Sequence, residues 1–161
     1  IIIMSAVIDK FNDLFNEFID KIITKFPNES LLNYKKAFVL VKMASPASPA
    51  NFFMAGGVDY KNEIKNRDEL FFINDESIKS KISNFSNDIG IANHWKDLTD
   101  NTKTAVWDYI QSLFVLGEII IKNDSTEFDK IRNSNIENYS KDISDFHKQK
   151  FSTEFLSKLN S

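Results

Sequence analysis

The stretch from His94 to Lys122 constrains the fold more than any other, because it holds both tryptophans and the longest apolar run of the chain. That run extends from Leu113 to Ile121 and is interrupted only by Gly117 and Glu118. Apolar residues also recur at three- and four-residue steps, namely Val106, Ile110, Leu113 and Phe114. This is the spacing of one face of an α-helix, and a helix that becomes apolar nearly all round is typical of a buried position among other helices. We therefore expect a central helix over residues 99–121.

The start of this helix is also visible in the sequence. Thr99 stands where an N-cap belongs, since its hydroxyl can accept a hydrogen bond from a free backbone N–H of the first turn. Leu98, just before it, offers an apolar side chain that anchors the entry of the chain. Glu118 is the one ionisable residue of the run, a carboxylate within an apolar stretch. We expect it to lie at a seam between helices or to pair with a lysine rather than to act in catalysis.

The composition favours helices throughout the chain. The 161 residues include only 4 glycines and 3 prolines, which argues against a turn-rich sandwich or barrel. The length suits one domain with a core of its own, and the 15 phenylalanines predict that aromatic rings fill it. We therefore expect an all-α fold, a single compact multi-helix bundle of about five to seven helices around the buried central helix.

Two helices are expected ahead of the first linker. From Ser5 to Phe26, apolar residues recur at three- and four-residue steps with acidic residues between them, which is the pattern of an amphipathic helix. Pro27 ends this helix because it lacks a backbone N–H, and Asn28 can cap the next one. So short a connection predicts that the two helices are antiparallel neighbours. We expect them to pack as a pair against the central helix.

The segment Ser45-Pro46-Ala47-Ser48-Pro49 is the one linker rich in turn residues. Ser48 followed by Pro49 is predicted to cap and begin a third helix. The pair Gly56-Gly57 weakens that helix, so we expect it to bend there or to restart at Asp59. No lysine with a following serine or threonine comes after the glycine pair, so a phosphate-binding loop is not expected.

After Lys122 the chain becomes polar, and its apolar residues are spaced thinly but still at helical steps. We therefore divide the chain into a helical core domain, residues 1–122, and an amphipathic C-terminal helical arm, residues 123–161, that packs on the core or on a partner. A thin apolar stripe needs another surface to bury against, so the arm is the best candidate for an interaction surface. Its candidate contact residues are Ile136, Tyr139, Ile143, Phe146, Phe151, Phe155 and Leu159.

Little in the sequence supports catalysis. There is no cysteine, and His94 and His147 are the only histidines, so a nucleophilic triad and a zinc site both lack their usual residues. We expect no enzyme activity and no cofactor. One alternative is a small-ligand or metal-dependent enzyme that uses a group of acidic residues, although a solvated helix face is the simpler interpretation of them. These residues are Glu63, Asp68 and Glu69.

Charge and hydropathy limit the expected partners. The net charge of -3 argues against a broad phosphate-binding surface. A nucleic-acid-associated accessory role, the second alternative, needs one patch of Lys61, Lys65, Arg67, Lys79 and Lys81. Glu118 and Lys122 interrupt the best candidate for a membrane span, so we do not expect membrane insertion. The three isoleucines before Met4 are too short for a signal peptide, so we do not expect secretion.

Three segments together resemble a known family. In chain order they are Phe26-Pro27-Asn28-Glu29 with the helix after it, Tyr60…Ile64…Arg67-Asp68-Glu69-Leu70-Phe71-Phe72, and Trp95…Leu98-Thr99…Trp107-Asp108-Tyr109-Ile110. The pattern is similar to that of uncharacterised helical proteins encoded by large nucleocytoplasmic DNA viruses, mimivirus-like giant viruses among them, over about residues 7–121. The resemblance implies a viral helical protein of the virion or host cytoplasm, and it transfers no catalytic residue. With the missing chemistry, it leads us to expect a non-enzymatic protein-interaction or virion-associated structural module that binds a protein partner or itself.

Overall fold

The computed structural model of the chain describes residues 3–25, 29–69 and 95–134, and these residues form an all-α fold. Their α-helices, in chain order, are α1 (Met4–Lys25), α2 (Glu29–Ala44), α3 (Ser48–Gly57), α4 (Lys61–Lys65), α5 (Asp100–Asn123) and α6 (Thr126–Asn133). Single 3-10 turns precede α4 at Val58–Tyr60 and α5 at Trp95–Asp97. No strand occurs within these ranges, and the predicted all-α class with compact helical packing is confirmed.

Helix α5 lies at the centre of the fold, where it packs against α1, α3 and α4. Its start is as predicted, because the Thr99 hydroxyl accepts a hydrogen bond from the Thr102 backbone N–H at 3.2 Å and so caps the helix. The predicted apolar stripe is buried. The described neighbours do not bury α5 on every side, since Val115 is 58% exposed. The reason is that α1, α3 and α4 cover only part of the circumference of α5.

Helix α1 turns one apolar face inward, as its periodicity predicts. The buried side chains on that face are Phe11, Phe15, Phe18, Ile19 and Ile22. Helices α1 and α5 run antiparallel, since the Phe18 ring stacks on Tyr109 with 4.9 Å between centroids and Lys25 Nζ donates to Thr102 Oγ1 at 3.3 Å. Burial of each phenylalanine ring stabilises the fold by about 1.5–3 kcal/mol, so this face is a large part of the core.

Helix α2 is the antiparallel neighbour of α1 that the sequence predicts. The Phe15 and Phe38 rings lie 4.8 Å apart, and Lys35 pairs with Asp20. The expectation that both helices pack against α5 holds for α1 only, because α2 packs mainly against α1 and α3. The buried face of α1 is shared between α5 and α2, and this leaves α2 on the outside of the pair. The predicted roles of Pro27 and Asn28 lie outside the described residues.

Helix α3 begins one residue earlier than predicted. Ala47 occupies the N-cap position, and Ser48 is already helical, with Pro49 in the first turn. Ser48 does not cap because it is already the first helical residue, and its hydroxyl donates to Glu127 Oε1 at 2.6 Å. At the far end, α3 continues through Gly57 and is followed by a 3-10 turn and α4, so the chain restarts as a helix after the glycine pair.

The crossing of α3 and α5 depends on a glycine. A Cβ atom added to Gly117 would lie only 2.4 Å from Met54 Sδ, so no larger residue fits without movement of the thioether. A Cβ atom added to Gly57, on the α3 side, would meet the Phe114 ring at an ordinary van der Waals distance of 3.9 Å. The close approach buries Met54 completely and fixes α3 firmly on the central helix.

Candidate interaction site at helix α6

Helix α6 follows α5 after a turn of two residues and lies along α3. Asp124 is extended and ends α5, and its carboxylate accepts a hydrogen bond from the Thr126 backbone N–H at 3.0 Å. Donation by the Thr126 backbone, and then by its side chain, holds the pKa of Asp124 below its ordinary value. Residues at the start of α6 contact the start of α3, and residues at its end contact the end of α3, so the two helices run parallel.

The first turn of α6 is held by a carboxylate. Glu127 accepts a hydrogen bond from Ser48 Oγ at 2.6 Å and a longer one from Asn51 Nδ2 at 3.4 Å. Ser48 and Asn51 are only 2% and 3% exposed, so these contacts are shielded from water on the α3 side. The positive end of the α3 dipole lies at the same place, and it also favours a carboxylate.

The last turn of α6 is held by a guanidinium. Arg132 Nη1 and Nη2 donate to the two carboxylate oxygens of Asp59 at 2.8 and 3.0 Å, and Nη1 also donates to the Ala55 carbonyl at 3.1 Å. A bidentate ion pair of this kind fixes the orientation of both groups. The hydrogen bond from Asp59 raises the pKa of Arg132 above its ordinary value. The carbonyl belongs to the C-terminal part of α3, where the dipole favours a cation.

Between the two ends, α6 buries one apolar side chain completely. Ile131 has 0% exposure, and Phe128 is partly buried against the main core. Ile131 does not belong to that core cluster, which joins α1, α3, α5 and neighbouring residues. The α6 contact is thus a second, smaller contact region with a polar group at each end.

Two buried asparagines lie at this side of α3, and sequence reasoning did not single them out. Asn12 on α1 donates to the Pro46 carbonyl at 2.8 Å, and Asn51 donates to the Ala47 carbonyl at 2.9 Å. The Oδ1 atoms of both side chains are buried and have no hydrogen-bond partner among the described residues. The spacing of Ser48 and Asn51, on one face of a helix, was the available signal.

The residues proposed from sequence as the interaction surface do not belong to α6. Ile136, Tyr139, Ile143, Phe146, Phe151, Phe155 and Leu159 lie outside the described residues. What the structure describes of the predicted arm is its first part, and this part packs on α3. Ser134 follows α6 with an extended backbone, and its N–H donates to the Ile131 carbonyl at 3.4 Å.

Of the acidic residues proposed for metal binding or acid–base chemistry, Glu69 has side-chain partners. Glu69 accepts hydrogen bonds from Trp95 Nε1 at 3.2 Å and from Lys103 Nζ at 3.3 Å, and both lower its pKa, Trp95 the more strongly. The Asp68 backbone N–H donates to the Glu63 carbonyl, which closes α4. Within the described ranges, no three acidic, histidine or cysteine side chains come together in a group that could hold a metal ion. Glu69 instead links the residues that follow α4 to the 3-10 turn at Trp95.

Glu118 is paired, as the sequence predicts. Its carboxylate lies 3.0 Å from Lys61 Nζ at the seam between α4 and α5. The Glu118 side chain keeps 26% exposure, so it reaches the surface beside the apolar run. This explains how a carboxylate fits within the most apolar part of the central helix.

The basic residues proposed as a nucleic-acid patch are partly neutralised. Arg67 Nη2 pairs with Asp108 at 2.6 Å, and Lys61 pairs with Glu118. Lys79 and Lys81 lie outside the described residues. Among the described members of the set, Lys61 and Arg67 thus each have an acidic partner, and the nucleic-acid alternative stays a prediction.

Arg67 also closes α4 in an unusual conformation. It has a positive φ of 51°, in the left-handed region that glycine normally supplies at this position. Gln111 on α5 accepts from the Arg67 guanidinium at 2.8 Å and donates to the Ile64 carbonyl at 2.9 Å. The side chains of α5 thus hold the strained residue and cap the last carbonyls of α4.

A shallow open groove of about 670 Å³ runs along the polar face of α1. Its described lining consists of Asp13, Asn16, Glu17, Asp20, Lys21, Thr24 and Lys25. The lysine in its middle is already engaged, since Lys21 lies 3.4 Å from Glu17 and 5.2 Å above the Tyr109 ring. Hydrogen bonds, first with Tyr109 and then with Glu17, raise the pKa of Lys21. The groove therefore presents a mixed-charge helix face.

By length and composition, α5 is the one helix in the described part of the chain that passes as a candidate membrane span. The expectation that this helix does not insert in a membrane stays a prediction. That window is 39% buried in the fold, and the same length and composition are found in core helices. The packing of its buried stripe on α1 and α3 is that of a core helix.

The most specific arrangement among the described residues is the contact of α6 with α3, in which a carboxylate, an isoleucine and a guanidinium each meet their own partner. No protein-family model, no curated protein and no solved structure matches this chain.

Proposed function

We propose that the protein is a non-enzymatic helical interaction module that binds a protein partner, or a second copy of itself, through the chain that follows α6. The observation that carries this proposal is the fixed position of α6. Glu127 holds its first turn and Arg132 its last turn, so the chain beyond Ser134 departs from a defined point of the fold. A binding segment that is attached at a defined point loses less freedom when it binds than one attached to a loose linker.

The sequence after Ser134 supports the same proposal. Its apolar residues form a thin stripe at helical steps, and its other residues are mainly polar. A stripe of this width is well suited to lie in a groove of another helical surface, with apolar anchors at spacings of three and four residues. A virion-associated role in a large DNA virus, or a role in the host cytoplasm, is the form of this function that the family resemblance supports.

The test compares the full chain with a chain that ends at Ser134. A second variant carries Ile143→Ser and Phe146→Ser, and a matched control carries Asp145→Ser and Lys148→Ser in the same segment. Oligomeric state is measured by analytical ultracentrifugation, and partners are identified by cross-linking and mass spectrometry in cells that express the protein. We expect the truncation and the apolar variant to lose self-association or the cross-linked partner, while the control keeps it.

Thermal unfolding followed by circular dichroism separates loss of binding from loss of folding. We expect the chain that ends at Ser134 to unfold within a few degrees of the full chain. If all variants show the same oligomeric state and the same cross-linked partners, the segment after Ser134 is not the binding element and the proposal is wrong. Recovery of the protein from purified virus particles by mass spectrometry tests the virion-associated form.

A further inference from the structure

We propose that α6 is a releasable strap, and that the face of α3 beneath it is a docking site for a helical partner segment with the same chemistry. Such a segment presents a carboxylate, an isoleucine-sized apolar side chain four residues later, and an arginine next to that. α6 is the resident occupant of the site, with Glu127, Ile131 and Arg132 in these roles. None of these groups lies beyond Ser134, and the docked state of α6 is the one from which the following chain departs at a fixed point.

The interactions between α6 and α3 are of a kind that favours release of α6. An eight-residue helix is too short to be stable alone in water, so α6 is ordered by its contacts with α3. Only Ile131 among its side chains is buried completely. The groups beneath its ends are a hydroxyl, an amide, a carboxylate and a backbone carbonyl, and water can satisfy all of these when α6 lifts off.

Most of the core does not depend on α6. The main cluster of buried side chains joins α1, α3 and α5 and includes Met54 and Phe114 but not Ile131; from α6, the partly buried Phe128 packs against it. The close crossing of α3 and α5 at Gly117 holds the docking face in place whether or not α6 covers it. The turn at Asp124 and Ser125 gives a natural hinge, since both residues lie outside the two helices. Local opening of such a peripheral unit, with an intact core, is a common property of folded proteins.

The uncovered face is chemically specific. At the start of α3, Ser48 and Asn51 supply two donors for a carboxylate, and the helix dipole adds to them. At the other end, Asp59 and the Ala55 carbonyl supply acceptors arranged for a guanidinium. The site that Ile131 fills lies between them. Because the two ends have opposite charge preferences, the face selects the direction of a docked helix, parallel to α3.

The first experiment measures release by native-state hydrogen exchange of the full chain. We expect the α6 amides to exchange well before those of α5. Arg132→Ala and Glu127→Gln are each expected to increase α6 exchange about tenfold while leaving α5 unchanged. Lys130→Ala, an exposed position on the same helix, is the matched control and should change neither. If α6 and α5 exchange together in every variant, α6 is an integral part of the core and the proposal is overturned.

The second experiment tests docking with a synthetic peptide of residues 124–134, added to the full chain and to a chain with Ile131→Ser and Arg132→Ala. The resident α6 competes with the peptide in the unaltered chain, so we expect at least tenfold tighter binding to the weakened variant. Chemical shifts should change at Ser48, Asn51 and Asp59. A control peptide with Glu127 and Arg132 exchanged should not bind. Equal binding of both peptides, or no shift at millimolar peptide, overturns the docking site even where α6 release is observed.

Discussion

Replacing Gly117 with alanine tests the closest approach in the fold, that of α5 to α3. The new methyl would lie 2.4 Å from Met54 Sδ and 2.6 Å from its Cγ. Ordinary non-bonded separations are about 3.5–4.0 Å, so the overlap is roughly 1 Å. Met54 has 0% exposure and cannot swing its thioether into solvent. Overpacking of a core costs about 1–3 kcal/mol, and the better helix propensity of alanine offsets about 1 kcal/mol of it.

We therefore expect Gly117→Ala to lower the free energy of unfolding by about 1 kcal/mol, which corresponds to a fall in Tm of about 3 °C. Urea unfolding followed by circular dichroism measures the change. Gly57→Ala is the matched control, since its methyl meets the Phe114 ring at 3.9 Å without overlap. We expect this control to be at least as stable as the wild type and to gain at most about 1 kcal/mol, because alanine brings its better helix propensity without a clash.

A double-mutant cycle with Met54→Ala locates the source of the change. Met54→Ala alone should cost about 2–5 kcal/mol through the cavity that it leaves. In the double variant the new methyl occupies part of that cavity instead of overlapping the thioether. We expect the two changes to be non-additive by about 1 kcal/mol or more, with the double variant more stable than the sum predicts. Additive effects, or a Gly117→Ala chain more stable than wild type, would show that α3 and α5 do not cross as closely as described.

Three further predictions concern helix ends and the pH dependence of stability. Thr99→Ala should lower the free energy of unfolding by about 1 kcal/mol because α5 loses its cap, whereas Thr99→Asp keeps an acceptor and should remain near wild type in the same urea titration. Arg67→Gly should be more stable than Arg67→Ala by about 1 kcal/mol, since both lose the pair with Asp108 but only glycine takes a positive φ without strain; equal stabilities in urea would contradict the left-handed cap. The pKa of Glu69 is lowered in the folded state, so its contribution to stability is present above its ordinary pKa and is lost as the pH falls through the folded pKa. Wild type and Glu69→Gln should therefore differ in Tm at neutral pH and converge as the pH falls below the folded pKa of Glu69, and a difference that stays constant into acid would refute the link.

The features that the sequence predicted well are those decided within a few residues. The cap at Thr99 needs only the first turn of its own helix, and the buried stripe of α1 follows from its own periodicity. The pairing of Glu118 was also predictable, because a carboxylate in an apolar run requires a nearby cation. The identity of that cation, Lys61, was not, since it lies 57 residues away in the chain.

The features that the sequence missed are decided by contacts between distant segments. Ser48 was assigned as a cap from its own neighbours, but it is the first helical residue and its hydroxyl donates to Glu127, 79 residues later in the chain. Gly117 was noted only as an interruption, because its contact with Met54 depends on how two helices cross. The candidate site at α6 was missed for the same reason. In the sequence, Glu127 and Arg132 resemble residues of a solvated helix face, and their partners on and beside α3 are distant in the chain.

Helix α3 explains why one of its contacts is permanent and the other is suited to release. Towards α5 it presents Met54 to a glycine, and separation of these helices would expose a core that water cannot satisfy. Towards α6 it presents Ser48 and Asn51, whose hydrogen bonds to a carboxylate can be replaced by hydrogen bonds to water. The two faces of the ten-residue helix α3 therefore differ in chemistry. The apolar face holds α5 as part of the core, and the polar face holds α6 as a releasable strap.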